Sequence, residues 1–147
     1  MDDTQIDRCA EQFCTAWQGL IHIYEDYART VNVPYTTLYV LSLIAQTEGC
    51  TQKDICERSL TPKQTVNTII TGLYNQQMVE LRQTAEDRRV KTVHLTEKGR
   101  AFAAGVLPQI RQAEHDAMAS LTDEQRRALL EGIRCYGNAF RSRMLQK

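Results

Sequence analysis

Positive charge is concentrated in one short polar segment of this chain. Four cationic side chains fall within ten residues: Arg82, Arg88, Arg89 and Lys91. On either side, residues 79–83 and 90–95 alternate apolar and polar side chains, which predicts two β-strands with the cations near the tip of a hairpin. A thin cationic hairpin suits the minor groove of duplex DNA, where narrow A·T tracts concentrate negative potential. The alternative is a solvated turn of mixed charge, because Glu86 and Asp87 offset two of the cations.

A predicted helix precedes the hairpin and has one polar, nearly uncharged face. We expect Thr61 to cap it and Pro62 to occupy its first helical position. The inward positions follow helical periodicity: Val66, Ile69, Ile70 and Leu73. The candidates for DNA contact are Thr61, Lys63, Gln64, Thr65, Asn67 and Thr68. Amide side chains such as Gln64 and Asn67 can pair with adenine, and Lys63 can reach guanine or a phosphate. An ordinary amphipathic helix with a hydrated face would show the same pattern.

Two further helices are predicted upstream. Residues 35–47 form the first, with four inward positions: Leu38, Leu41, Ile44 and Ala45. Thr51 then caps a short helix over 52–58, in which Ile55 and Cys56 face inward. Three short helices followed by a hairpin is the order of a winged helix-turn-helix, whose third helix enters the major groove. The predicted fold is therefore mainly α with a small β-hairpin wing, and residues 35–99 form the DNA-binding region.

Apolar stripes mark both ends of the chain. The N-terminal stripe alternates spacings of four and three: Ile6, Ala10, Phe13, Trp17, Leu20, Tyr24, Tyr27 and Val31. Downstream, Thr96 caps a long helix in which Pro108 predicts a bend, and a capping box at Thr122 and Gln125 opens the last helix. A narrow heptad stripe is typical of a seam between helices. We expect dimerisation helices at 1–34 and 100–147, although the two stripes could instead pack together within one monomer.

The segment Asp87-Arg88-Arg89-Val90-Lys91-Thr92-Val93-His94-Leu95-Thr96-Glu97-Lys98-Gly99-Arg100 resembles the wing of the MarR-type regulators. That family has Asp-x-Arg at the tip and a strand that runs into Leu-Thr-x-x-Gly. Gln52-Lys53-Asp54-Ile55 and Thr65-Val66-Asn67-Thr68 stand where it has its second and third motif helices. The resemblance implies an obligate homodimer that binds a pseudo-palindromic DNA operator as a transcriptional regulator, a repressor released by a small molecule or an oxidant. It also implies that Arg89 enters the minor groove and Asp87 orients it. Thr68 departs from the family, since many members have a basic residue there.

The resemblance implies an effector site between the dimerisation helices and the DNA-binding region. Its candidate lining is aromatic and polar: Cys14, Trp17, His22, Tyr24, Tyr27 and Tyr39. Such a crevice could take a phenolic or other lipophilic anion, although aromatic residues at helical spacing also form ordinary core. Because some family members sense oxidants through a cysteine of the first helix, Cys14 is a second candidate switch. Buried cysteine can equally act as a small hydrophobic residue.

The overall composition restricts the other classes of function. The 147 residues carry no net charge, from 18 basic and 18 acidic side chains, which argues mildly against DNA binding unless the cations cluster. No membrane span or signal peptide is recognisable, so we expect a cytoplasmic protein whose five cysteines are free thiols. We find no glycine-rich phosphate loop or nucleophile elbow and predict no enzymatic activity, cofactor or metal site. The alternative function is a winged helix that binds proteins without sequence-specific DNA binding, which would not need an arginine tip.

Overall fold

The computed structural model describes residues 2–85 and 89–145. The helices are α1 (Asp3–Thr30), α2 (Tyr35–Gln46), α3 (Gln52–Ser59), α4 (Lys63–Asn75), α5 (Glu97–Ala119) and α6 (Asp123–Met144). The strands are β1 (Cys50–Thr51), β2 (Val79–Gln83) and β3 (Lys91–Leu95). The chain forms two compact units, 1–107 and 108–147, and α5 crosses their boundary at Pro108. The predicted fold class, mainly helical with a small winged hairpin, is confirmed.

The first unit contains the hydrophobic core. Its largest fully buried side chains come from α2, α3, α4 and the strands: Leu38, Leu41, Ile44, Ile55, Val40, Val66, Val79 and Val93. On α4, Val66, Ile70 and Leu73 are buried as the periodicity predicts, while Ile69 is only half-buried. The inward assignment of Ala45 is wrong, because α2 instead buries Val40 and Leu43. This helix contacts α1, α3, α4 and β3, so its buried surface is wider than a single stripe.

The hairpin belongs to a three-stranded antiparallel sheet in the order β1-β3-β2. Strands β2 and β3 pair as predicted, with Val79 opposite Leu95 and Leu81 opposite Val93. The two-residue strand β1 was not predicted; its Cys50 pairs with Val93 across the sheet. Val79, Val93 and Leu95 are buried, so one face of the wing is fixed to the core. The base of the wing is therefore anchored on the same core as α4.

The junction between the hairpin and α5 is held by Thr96. Its hydroxyl accepts a hydrogen bond from the Gly99 N–H at 3.0 Å, which confirms Thr96 as the cap, and donates to the Gln77 carbonyl at 2.7 Å. The Thr96 N–H donates to the Met78 carbonyl at 3.0 Å. The first turn of α5 is thereby joined to the residues that precede β2.

The two terminal stripes leave large apolar side chains exposed in the single chain. On α1, Ile6, Trp17 and Leu20 are 48%, 45% and 55% exposed. In the second unit, the predicted capping box of α6 is confirmed, and none of the described residues of this helix is buried. Its exposed apolar side chains include Leu129, Ile133, Tyr136, Phe140 and Met144. Among the described residues, each of these helices thus has apolar side chains that its own unit leaves exposed.

Candidate nucleic-acid interface

The start of α4 differs from the prediction. Pro62, with φ −56° and ψ 141°, is the N-cap residue, and α4 begins at Lys63 without a side-chain cap. Thr61 is not the cap, because its hydroxyl donates to the Ser59 carbonyl at 3.3 Å. Leu60, in the left-handed region at φ 52°, makes the preceding turn. Because no side chain caps the first turn of α4, its backbone N–H groups can meet a phosphate.

The outer face of α4 is polar and exposed. All five candidates within the helix are exposed: Lys63, Gln64, Thr65, Asn67 and Thr68. Thr61, just before the helix, is half-buried. Opposite them, Val66, Ile70 and Leu73 anchor the helix in the core. The helix therefore presents a row of hydrogen-bonding side chains on a rigid support, as a helix that reads base edges requires.

A capping box fixes the start of helix α3, and one further hydrogen bond links α3 to α4. The Thr51 hydroxyl accepts from the Asp54 N–H at 3.2 Å, while the Asp54 carboxylate accepts from the Thr51 N–H at 2.8 Å. These bonds confirm Thr51 as the cap. They also lower the pKa of Asp54, chiefly through the Thr51 backbone N–H and then through the Thr51 hydroxyl. The Gln52 amide donates to the Lys63 carbonyl at 3.3 Å and so links the starts of the two helices.

An Asp54→Ala variant is expected to be less stable than the wild type near neutral pH and to approach it under acid conditions. A carboxyl group whose folded pKa is lowered contributes stability that is complete above its unfolded pKa and is lost as the pH falls through the folded pKa. Thermal unfolding from neutral to strongly acidic pH measures the difference. Glu57→Ala removes a carboxylate from α3 without removing a capping bond and should stay close to the wild type throughout. A difference in melting temperature between Asp54→Ala and the wild type that does not change with pH would contradict the prediction.

The predicted cations of the wing fall into different environments. Arg82 is bound to Glu80 on its own strand, with Nε 2.9 Å from Oε1, so part of its charge is offset. Lys91, the first residue of β3, and Arg89, two residues before that strand, are both exposed. Asp87 and Arg88 lie outside the described residues, so their predicted roles stay predictions. His94, farther along β3, has one ring nitrogen 2.8 Å from the Thr92 hydroxyl and the other 3.3 Å from Glu48.

A cleft of about 700 Å³ separates α3 and α4 from the wing. Four cationic side chains line it, together with polar and apolar residues: Lys53, Lys63, Arg89 and Lys91. The cations that are far apart in sequence thus converge on one concave surface, although the whole chain is neutral. Sequence reasoning missed Lys53 as part of this set; the signal was its position in the first turn of the helix before α4. Cys56 also lines the cleft and is half-buried, so its predicted inward orientation is only partly correct.

The six predicted effector residues lie on α1 and α2. Cys14, Trp17, His22 and Tyr39 are exposed, and Tyr24 and Tyr27 are half-buried. Tyr24 and Tyr39 both contact Tyr35, at ring-centroid distances of 5.0 and 6.4 Å. Tyr27 donates to the Val106 carbonyl at 2.8 Å.

A cavity of about 520 Å³ lies where α1 meets α2. Its lining is Glu25, Ala28, Arg29, Asn32, Val33, Pro34, Tyr35 and Thr36, which includes none of the six predicted effector residues. Tyr35, however, joins this cavity to the aromatic cluster formed with Tyr24 and Tyr39. The predicted effector site therefore stays a prediction.

Among residues 2–85 and 89–145, no helix is both long and apolar enough to cross a membrane. Within the same ranges, histidine, cysteine and carboxylate side chains form no group of three that could hold a metal ion.

Three helices, a hairpin fixed beside the third, and a cationic cleft between them define a winged helix-turn-helix protein. A sequence model of the MarR family matches residues 31–90, which include α2, α3, α4 and β2. This match and the shared fold confirm the resemblance to the MarR family. None of the curated proteins matches the chain.

Several solved structures share the fold over nearly their whole length. NMB1585, a MarR family regulator from Neisseria meningitidis, is 24% identical with a TM-score of 0.77, over 91% of this chain and 94% of that one. FabT from Streptococcus pneumoniae, solved in complex with DNA, is 17% identical with a TM-score of 0.76, over 93% and 98%. BpsR from Bordetella bronchiseptica, whose DNA binding is regulated by 6-hydroxynicotinic acid, is 20% identical with a TM-score of 0.72, over 88% and 98%. At these identities the likeness shows the fold.

Proposed function

We propose that this protein is a dimeric transcriptional regulator, a repressor, that binds a pseudo-palindromic DNA operator. The observation that carries the proposal is the convergence of Lys53, Lys63, Arg89 and Lys91 on the cleft between α4 and the wing. A duplex whose major groove receives α4 would bring its phosphates to these cations. FabT, which has the same fold, was solved in complex with DNA, and this supports DNA binding by the present chain.

Dimerisation follows from the uncovered apolar surfaces of α1 and α6. A second copy of the chain would bury side chains such as Trp17, Leu20 and Phe140, which are 45%, 55% and 54% exposed in the monomer. Two copies related by a twofold axis would present two α4 helices about one DNA turn apart, which matches a pseudo-palindromic site. Light scattering of the purified protein should give the mass of a dimer. A stable monomer would contradict this part of the proposal.

The central experiment selects bound sites from random DNA duplexes and then measures affinity at several salt concentrations. Replacing Lys63 by alanine should reduce the slope of log K against log salt by about one unit, because one phosphate contact is lost. Lys98→Ala is the matched control, since Lys98 lies on α5 outside the cleft and donates to the Gln76 carbonyl. A protein-binding winged helix would enrich no duplex, and its partner binding would not depend on Lys63 or Arg89.

Release from DNA would use a small aromatic anion or an oxidant. BpsR, with the same fold, supports the first route, because its DNA binding responds to 6-hydroxynicotinic acid. For the second route, Cys14 is exposed on α1, whereas Cys50 is buried and burial raises its pKa, which favours the unreactive thiol. Operator affinity measured with hydrogen peroxide should fall for the wild type and stay unchanged for Cys14→Ser. Equal responses of both proteins would exclude Cys14 as the sensor.

A further inference from the structure

The reading face of α4 has very little charge for a helix that would lie against DNA. From Lys63 to Asn75, Lys63 is the only charged residue. Arginine and lysine make the commonest base-specific contact, to guanine, so any such contact from α4 must come from its first residue. Base recognition farther along the helix depends on neutral side chains, and the exposed candidates among them are Gln64, Thr65, Asn67 and Thr68.

Thr68 is held in one orientation by its own helix. Its hydroxyl donates to the Gln64 carbonyl one turn earlier, at 3.0 Å. A threonine hydroxyl has a single hydrogen, so this bond uses its whole donor capacity. Because the oxygen is turned back to the helix backbone while the residue is exposed, the methyl group is the apolar part that remains for contact with a base. The side chain thus presents a methyl group, rather than a hydroxyl donor, to a base.

We propose that Thr68 is a specificity-determining residue whose methyl group selects thymine in the major groove. Threonine methyl groups make apolar contacts with the C5-methyl of thymine, which the other three bases of DNA lack. This inference rests on the proposed DNA-binding function and assigns one base preference within it. The competing contact is acceptance of a hydrogen bond by the Thr68 oxygen from an amino group of adenine or cytosine.

The test uses the duplex that the full-length protein selects from a random pool. Each thymine is replaced in turn by deoxyuridine, which removes only the C5-methyl, and affinities are measured by fluorescence anisotropy. For the wild type, we expect one thymine in each half-site at which the deoxyuridine substitution lowers the affinity of the protein for the duplex about fourfold. This is the fold-change typical of one buried methyl group. Thr68→Val keeps the methyl and should keep this sensitivity, whereas Thr68→Ser lacks the methyl and should lose it.

The outcomes separate this inference from the function on which it rests. If no duplex is enriched, both fail. If a duplex is bound but Thr68→Ser retains the full deoxyuridine effect, DNA binding stands and the assignment of Thr68 is overturned. If Thr68→Val weakens binding and the site requires adenine or cytosine opposite this position, the oxygen rather than the methyl is the reading group. Thermal unfolding of both variants should match the wild type, because Thr68 is exposed.

Discussion

Replacing Gly99 by alanine is expected to lower the free energy of unfolding by about 3 kcal/mol. A Cβ atom at this position would lie 1.9 Å from the Met78 carbonyl oxygen and 2.8 Å from its carbon. This obstacle is backbone, and it cannot shift freely. The Met78 carbonyl accepts from the Thr96 N–H at 3.0 Å, and the Met78 N–H donates to the Leu73 carbonyl at 2.9 Å. Moving Met78 would therefore strain the connection between α4, β2 and α5.

Denaturant unfolding of Gly99→Ala and Gly105→Ala provides the measurement and its control. Both glycines lie in α5, but a Cβ at Gly105 would meet nothing within 4 Å. Gly105→Ala is expected to be neutral or to stabilise the protein by up to about 1 kcal/mol, because alanine favours the helix more than glycine. Equal stability of the two variants would show that the backbone of α5 at Gly99 does not lie against the Met78 carbonyl.

This close approach gives a physical reason for the glycine of the Leu95-Thr96-x-x-Gly99 segment. Thr96 bonds the start of α5 to the residues before β2, and Gly99 lets the same turn lie against that backbone. The base of the wing is thereby fixed beside the end of α4. In the proposed regulator this junction sets the distance between the two parts that contact DNA, so partial folding of Gly99→Ala should also reduce operator affinity.

Replacing Arg89 by alanine is expected to weaken operator binding by at least about fivefold, corresponding to roughly 1–3 kcal/mol for a lost base contact. Arg89 is exposed at the start of the return segment of the wing and lines the cationic cleft. A guanidinium inserted into a narrow A·T-rich minor groove gains from the concentrated negative potential there. The loss should therefore be largest on duplexes that are A·T-rich at the position of the wing.

Fluorescence anisotropy with two duplexes, A·T-rich and G·C-rich at that position, measures the Arg89 effect. Arg29→Ala is the control for net charge, since it removes a guanidinium that is paired with Asp26 on α1 and does not line the cleft. Arg29→Ala should bind both duplexes like the wild type. If Arg89→Ala binds both duplexes with the same affinity as Arg29→Ala does, Arg89 does not read the minor groove.

Much of the local structure could be predicted because its causes lie within a few residues. The capping residues Thr51, Thr96 and Thr122 each bond to a group three residues away. The alternation in β2 and β3 and the helical spacing of Val66, Ile70 and Leu73 arise because one face of each element is buried. The start of α4 was misplaced by one residue, since Thr61 bonds to Ser59 rather than to the helix. The Thr61 hydroxyl can bond either to the Ser59 carbonyl or to the first turn of α4, and the sequence alone does not determine which bond forms.

The sequence by itself determined where most helices and strands form, which faces they bury, and that cations cluster on the hairpin. Only the tertiary structure decided that Lys53 joins those cations, that β1 completes the sheet, and that Gly99 lies against Met78. Periodicity and capping patterns reflect the bonds and the burial of a residue within its own helical turn or strand. They carry no information on which distant backbone comes close, because that depends on how the elements pack around the shared core.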